Sequence, residues 1–187
     1  MAGELQGMTV AILATDGVER VELEQPRGAL YGAGAKSELI SIHPGEIQAR
    51  QFDLVSAGTF AVDRQIGDVT VDEYDALLLP GGTVNPDSLR ISSAAVDFVR
   101  RFAGTGRPIA SICHGPWTLV EAGAVQGCRL TSWPSLRTDI TNAGGEWVDE
   151  EVVVDDWLTT SRSPADLPAF CATMVDQFAR ARRSGVR

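Results

Sequence analysis

A cysteine, a histidine and a glycine stand side by side where an apolar run ends. Residues 108–112 form a short apolar run that predicts a buried strand, and the helical pattern that follows closes at Gly123. Cys113 is therefore predicted to lie at a strand-to-helix turn, a position that presents a nucleophilic side chain at the edge of a sheet. The first N–H groups and the dipole of the helix are expected to favour the thiolate, which is the nucleophilic form of cysteine.

The alternative for such a residue is packing, because free cysteine is commonly a small buried hydrophobe. The turn, the adjacent His114 and Gly115 favour catalysis or redox sensing for Cys113. His114 is the candidate acid or base, and no histidine follows it in the chain. A papain-like or amidotransferase arrangement, whose base lies far downstream of the nucleophile, is therefore excluded. Cys128 and Cys171 lack these neighbours and are predicted to be structural.

Two other segments are predicted to reach the same edge of the sheet. Glu22 lies in the helix after the first strand, and Gly81 and Gly82 follow a buried strand. Bare backbone N–H groups of a glycine pair can bind an oxyanion, although such a pair also makes ordinary tight turns. A glutamate near a helix start is common because it complements the helix dipole. Held against a thiol, a protonated glutamate could instead donate a hydrogen bond to the thiolate.

The alternation of strand and helix patterns predicts an α/β sandwich around a mostly parallel sheet, with ligands bound beyond the carboxyl ends of the strands. Val21, Leu30 and Tyr31 are predicted core positions of the first helix, and His43 is predicted to be a solvated loop residue. The predicted strands are 8–14, 37–42, 75–79, 108–112 and 129–132. The predicted helices are 18–33, 85–102, 115–122, 134–143 and 164–183. Hairpins are predicted at 47–62 and 151–160.

Composition limits the class of function. A chain of 187 residues is predicted to form one domain, residues 1–187, and its net charge of −9 disfavours binding to nucleic acid. No apolar run is long enough to cross a membrane, and the amino terminus lacks a signal-peptide pattern, so a cytoplasmic location is expected. Three scattered cysteines and two distant histidines predict neither disulfides nor a metal site, and no cofactor is expected.

Several motifs together are similar to those of one protein family. They lie at residues 74–82, 110–116 (ASICHGP), 130–135, 142–154 and 160–168. These segments resemble the DJ-1/PfpI family, and most closely its PfpI-like branch, and the resemblance runs over most of the chain. The resemblance implies a flavodoxin-like three-layer sandwich in which the cysteine at the nucleophile elbow is the nucleophile.

The resemblance also implies roles for individual residues. Cys113 would be the nucleophile, and Glu22 falls where the family keeps a carboxyl group that is hydrogen-bonded to the cysteine. The backbone at Gly82 and His114 would form the oxyanion hole. Asp87 occupies the position of an acid that orients the histidine of a neighbouring subunit in PfpI-like members. A homodimer or higher homo-oligomer with its site near the subunit interface is therefore expected.

The function implied by this resemblance is a stress-protective, cysteine-dependent enzyme. It would act as a deglycase or glyoxalase on small carbonyl compounds and glycated proteins, or as an intracellular cysteine peptidase. The alternative is a non-enzymatic redox sensor or holdase in which Cys113 is oxidised. Gly81 and Trp133 are expected to line the substrate site, and Trp133 stands where the family often has tyrosine.

Overall fold

Seven strands form the central sheet of the computed structural model, which describes residues 3–185. The sheet order is β11-β12-β8-β7-β1-β3-β6, and every pair is parallel except β11 with β12. The sheet strands are β1 (Thr9–Leu13), β3 (Lys36–Ser41), β6 (Arg64–Gln65), β7 (Ala76–Leu79), β8 (Ile109–Ile112), β11 (Val152–Asp155) and β12 (Leu158–Ser161). The predicted mostly parallel sheet is confirmed.

Helices cover both faces of this sheet. They are α1 (Arg20–Gly32), α2 (Val84–Arg90), α3 (Ser93–Ala103), α4 (Pro116–Glu121), α5 (Arg137–Asn142) and α6 (Leu167–Arg183). The strand β1 faces both layers: Val10 and Ile12 pack in the cluster with α1 and α6, whereas Ala11 and Leu13 pack in the cluster with α3 and α4. Because successive strand residues point to opposite faces, the uniformly apolar strands predict this two-sided burial.

Two small sheets lie beside the central one. Strand β4 (Glu46–Gln51) pairs antiparallel with β5 (Val55–Ala61), which confirms the predicted hairpin, and β2 (Val18–Glu19) joins β4. Strand β9 (Arg129–Leu130) pairs with β10 (Glu146–Trp147). The β4–β5 hairpin reaches back towards the carboxyl edge of the central sheet, where its tip becomes part of the site described below.

Two predicted helices differ from those observed. Residues 18–19 were expected to begin the first helix, but they pair with β4 as a strand, so α1 begins at Arg20. The predicted helix 85–102 is two helices, because the side chain of Ser92 accepts a hydrogen bond from the Ala95 N–H and caps a new helix there. Five apolar residues of these two helices are buried in the core: Leu89, Val96, Phe98, Val99 and Phe102.

The prediction that Tyr31 is a core residue of α1 is wrong. Leu30 is buried and Val21 is half-buried, but Tyr31 is 83% exposed. Leu30 faces the sheet, and the helical rotation of about 100° per residue turns its neighbour Tyr31 away from it. Among residues 3–185, no helix is both long and apolar enough to span a membrane.

Candidate active site

All of the predicted site residues except Asp87 meet near the carboxyl edge of two neighbouring parallel strands. Strand β7 ends at Leu79 and leads into Gly81 and Gly82, while β8 ends at Ile112 and leads into Cys113. A side chain added at Gly81 would place its Cβ 2.8 Å from the Cys113 Cβ, so no larger residue fits at this junction. The structure thus brings the glycine pair against the cysteine.

The backbone at Cys113 is held in an unusual conformation. Its φ is +61°, in the left-handed region that few non-glycine residues adopt. Two backbone hydrogen bonds fix it: the Cys113 N–H donates to the Ser161 carbonyl at 3.0 Å, and the Trp133 N–H donates to the Cys113 carbonyl at 2.9 Å. Helix α4 begins three residues later, at Pro116. This strained strand-to-helix turn matches the predicted elbow geometry and is typical of functional sites.

Glu22 is fully buried beside the thiol. Its Oε2 accepts a hydrogen bond from the Gly81 N–H at 2.9 Å, and its carboxyl group interacts with the Cys113 side chain. Its other oxygen, Oε1, is buried and has no hydrogen-bond partner among the described residues. Burial disfavours the carboxylate and raises the pKa of Glu22 to about 8, so the neutral acid, which can donate a hydrogen bond, dominates at pH 7.

The resting thiol is also neutral. Burial raises the pKa of Cys113 far above its ordinary value, and Glu22 acts in the same direction once it is ionised, through its charge and its hydrogen bond. The backbone N–H groups of His114 and Gly82 lower the pKa of the thiol, but by less. The expected stabilisation of the thiolate by backbone N–H groups is thus present, and removal of the sulfur from water opposes it.

His114 is placed to exchange a proton with the cysteine. Its Nδ1 lies 3.2 Å from the Cys113 Sγ, and its Nε2 lies 3.4 Å from the Ser135 Oγ. The ring is stacked on Trp133, with centroids 5.8 Å apart, and also contacts Trp117. Burial lowers the pKa of His114, so the imidazole is neutral at pH 7 and able to accept the thiol proton.

These groups open into one cavity of about 280 Å³. Five of the predicted site residues form part of its wall: Glu22, Gly82, Cys113, His114 and Trp133. Five other residues of the wall were not predicted: Glu19, Phe52, Asp53, Thr83 and Pro164. Phe52 and Asp53 come from the tip of the β4–β5 hairpin. The alternating sequence predicts this hairpin, but it does not predict that the tip packs at the site.

Asp87 lies apart from this cluster within the chain. It is exposed on α2, and no hydrogen bond or ion pair joins it to His114 among the described residues. The expected contact was with the histidine of a neighbouring subunit, so its role stays a prediction. His43 is half-exposed in its loop, as predicted, and its Nε2 lies 3.1 Å from the Asp16 Oδ2. Within residues 3–185, no group of three acidic, histidine or cysteine side chains is arranged to hold a metal ion.

Comparison with known proteins assigns the chain to a family. The family model described as the DJ-1/PfpI family matches residues 8–177. The chain belongs to the DJ-1/PfpI family. The family resemblance of the sequence motifs is therefore confirmed, and the flavodoxin-like α/β architecture agrees with the solved structures of related proteins.

Several named relatives of this DJ-1/PfpI chain are deglycases, and one of Bacillus subtilis is named a putative cysteine protease. A "Protein/nucleic acid deglycase 2" of Escherichia coli is 43% identical and aligns with 86% of this chain and 92% of the relative. A deglycase of Pyrococcus abyssi is 40% identical, and the alignment covers 90% of this chain and 98% of that relative. A solved two-domain protein of Anabaena variabilis, with DJ-1/ThiJ/PfpI-like and ferritin-like domains, has a TM-score of 0.83 at 30% identity. The alignment covers 91% of this chain and 48% of that protein, about half its length. The predicted class, a cysteine-dependent enzyme of this family, is thereby confirmed.

Proposed function

We propose that this protein is a stress-protective enzyme that uses Cys113 to act on small carbonyl compounds or on their adducts with proteins. The observation that supports this most directly is the 3.2 Å contact between the Cys113 Sγ and the His114 Nδ1 inside an open cavity. The deglycase names of the relatives support the same substrate class. The match of the family model to residues 8–177 supports a single domain for the whole chain.

The geometry supports general-base activation of a neutral thiol. As the Cys113 Sγ forms a bond to the carbonyl or adduct carbon, its proton passes to the neutral His114 Nδ1. The backbone N–H groups of Gly82 and His114 would stabilise the oxygen anion that forms on the substrate. With an adduct, His114 would return the proton to the leaving amine or thiol, and with a free carbonyl compound it would return the proton to the oxygen anion. The hemithioacetal formed on Cys113 would be released by reversal of the addition, or by water after its rearrangement to a thioester. Because Glu22 is neutral at pH 7, it does not oppose the negative charge that develops on the sulfur.

The first experiment tests this assignment by removing the thiol. In an assay of methylglyoxal or of its adduct with a thiol, Cys113→Ala is expected to lose turnover by about 10³-fold or more, because the cavity wall holds no second thiol to form the covalent bond. Cys128→Ala, which removes a half-buried thiol outside the cavity, is the matched control and should retain turnover. Retained turnover in Cys113→Ala would refute the proposal. A protein that digests peptides without this turnover would instead be a cysteine peptidase.

One observation also supports a second function, a redox sensor. The buried Glu22 carboxyl group interacts with the Cys113 side chain and could donate a hydrogen bond to an oxygen added at Cys113. Mass spectrometry after mild peroxide treatment is expected to find sulfenic or sulfinic acid preferentially at Cys113. Oxidation spread equally over Cys113, Cys128 and Cys171 would contradict this second function.

We further propose that the active form is a homo-oligomer with Asp87 of one subunit near His114 of the next. The exposure of Asp87 on α2 leaves it available for such a contact. A cytoplasmic location belongs to the same proposal, and it is supported by three free cysteines, which are typical of a reducing compartment.

A further inference from the structure

The wall of the Cys113 cavity has an unbalanced set of charges. Its ten lining residues include three carboxyl side chains, Glu19, Glu22 and Asp53, and no lysine or arginine. Burial raises the pKa of Glu22 to about 8, which favours its neutral form, and it also raises the pKa of Glu19. Asp53, at the tip of the β4–β5 hairpin, is the third acidic side chain of the wall, and its electrostatic influence reaches His114.

Asp53 is rigidly held. Its Oδ1 accepts a hydrogen bond from the Thr83 N–H at 2.7 Å, and its Oδ2 accepts one from the Thr83 Oγ1, also at 2.7 Å. The turn that presents it has left-handed φ values at Phe52 (+53°) and Asp53 (+62°). Its neighbour is fixed as well, because the Phe52 N–H donates to the Glu19 Oε2 at 2.8 Å. A charge held in this way needs no rearrangement to act on a bound substrate.

Two further features of the wall suit a cation. Phe52 and Trp133 expose 70% and 41% of their surfaces, and aromatic faces attract guanidinium and quaternary ammonium groups. Carboxyl and aromatic groups therefore line the same cavity as Cys113.

We propose that Asp53 is a specificity-determining residue that makes this site prefer positively charged carbonyl adducts and reject anionic ones. This inference rests on the proposed function. The preferred class is the adduct of a carbonyl compound with a guanidinium group, as on an arginine side chain, because the guanidinium keeps its positive charge. Adducts on carboxylate- or phosphate-bearing molecules are disfavoured, because no basic side chain of the cavity wall compensates their charge.

The test compares substrates that share one reactive carbon and differ in charge. Methylglyoxal hemithioacetals are made with thiocholine, 2-mercaptoethanol and 3-mercaptopropionate, which are cationic, neutral and anionic. In the wild type, kcat/KM is expected to fall in that order, by about tenfold or more from first to last, and the ratio should shrink as salt is added. Asp53→Asn should reduce the cation-to-anion ratio by about threefold to tenfold. Asparagine can still accept from the Thr83 N–H, which preserves the turn.

A matched control separates the local charge from the net charge of the protein. Asp97→Asn removes the same unit charge from an exposed position on α3, where Asp97 pairs with Arg100 and Arg101. It should leave the ratio unchanged. Equal kcat/KM for the three hemithioacetals in the wild type, or a ratio that Asp53→Asn leaves intact, would overturn the inference.

A second measurement does not depend on turnover. Cys113 is modified with two methanethiosulfonates of similar size, one bearing ethyltrimethylammonium and the other ethylsulfonate, and the rate is followed by peptide mass. The rate of Cys113 modification is expected to be at least about threefold higher with the cationic reagent than with the anionic one. Asp53→Asn should reduce this ratio of rates. If no hemithioacetal is turned over while this preference holds, the proposed function fails and the charge selectivity stands. Equal reagent rates at Cys113 would reject the selectivity itself.

Discussion

At the scale of single residues, the buried Glu22 carboxyl controls the electrostatics of the site. Burial raises its pKa from the ordinary 4.5 to about 8, so the folded protein binds this proton more tightly than the unfolded chain does. The stability linked to this group is therefore fully present below pH 4.5 and is lost as the pH rises through 8. Because Glu22 is neutral at pH 7, it adds no negative charge beside the Cys113 sulfur.

Glu22→Gln tests this linkage, because glutamine resembles the neutral acid and cannot ionise. Between pH 5 and pH 8 the free energy of unfolding of Glu22→Gln, relative to that of the wild type, is expected to increase by about 3 kcal/mol. Urea unfolding of both proteins at the two pH values measures it, and Glu24→Gln, at a half-exposed position on the same helix, is the control. A pH-independent difference between Glu22→Gln and the wild type would contradict the buried neutral carboxyl.

At the scale of elements, the site depends on how closely the ends of β7 and β8 approach. A Cβ at Gly81 would lie 2.5 Å from the Glu22 Oε2 and 2.9 Å from the Ile112 carbonyl oxygen. Gly82 adopts a φ of +80°. The glycine pair therefore lets the β7 segment contact both the carboxyl group and the cysteine, and a larger side chain at Gly81 must push these elements apart.

Gly81→Ala is expected to destabilise the protein by about 2 to 4 kcal/mol and to reduce turnover, because the added methyl group displaces Glu22 or the elbow. Gly28→Ala is the matched control: it lies inside α1 with no atom near its added Cβ, and it should stabilise the protein by about 0.5 to 1 kcal/mol. Thermal unfolding and the methylglyoxal assay measure both effects. A Gly81→Ala protein as stable and active as the wild type would show that the junction tolerates a side chain.

At the scale of the whole molecule, the proposed homo-oligomer brings Asp87 of one subunit to His114 of the next. If that acid is supplied by a neighbouring subunit, dilution below the dissociation concentration should lower wild-type turnover in step with the loss of oligomer seen by light scattering. Asp87→Asn should reduce kcat of the assembled protein by about tenfold to a hundredfold, since an unoriented histidine is a poorer base. Asp97→Asn should behave as the wild type. A fully active monomer would exclude this role for Asp87.

Local sequence determined most of the elements and the Cys113 elbow, because buried parallel strands are continuous apolar runs and the turn residues after them are distinctive. It also placed Glu22 and the glycine pair at one edge, since parallel strands end together. Tertiary structure alone decided two things: that the hairpin tip brings Asp53 to the cavity, and that burial raises the pKa of Cys113. Each depends on contacts or desolvation between segments far apart in the chain, which no local pattern specifies.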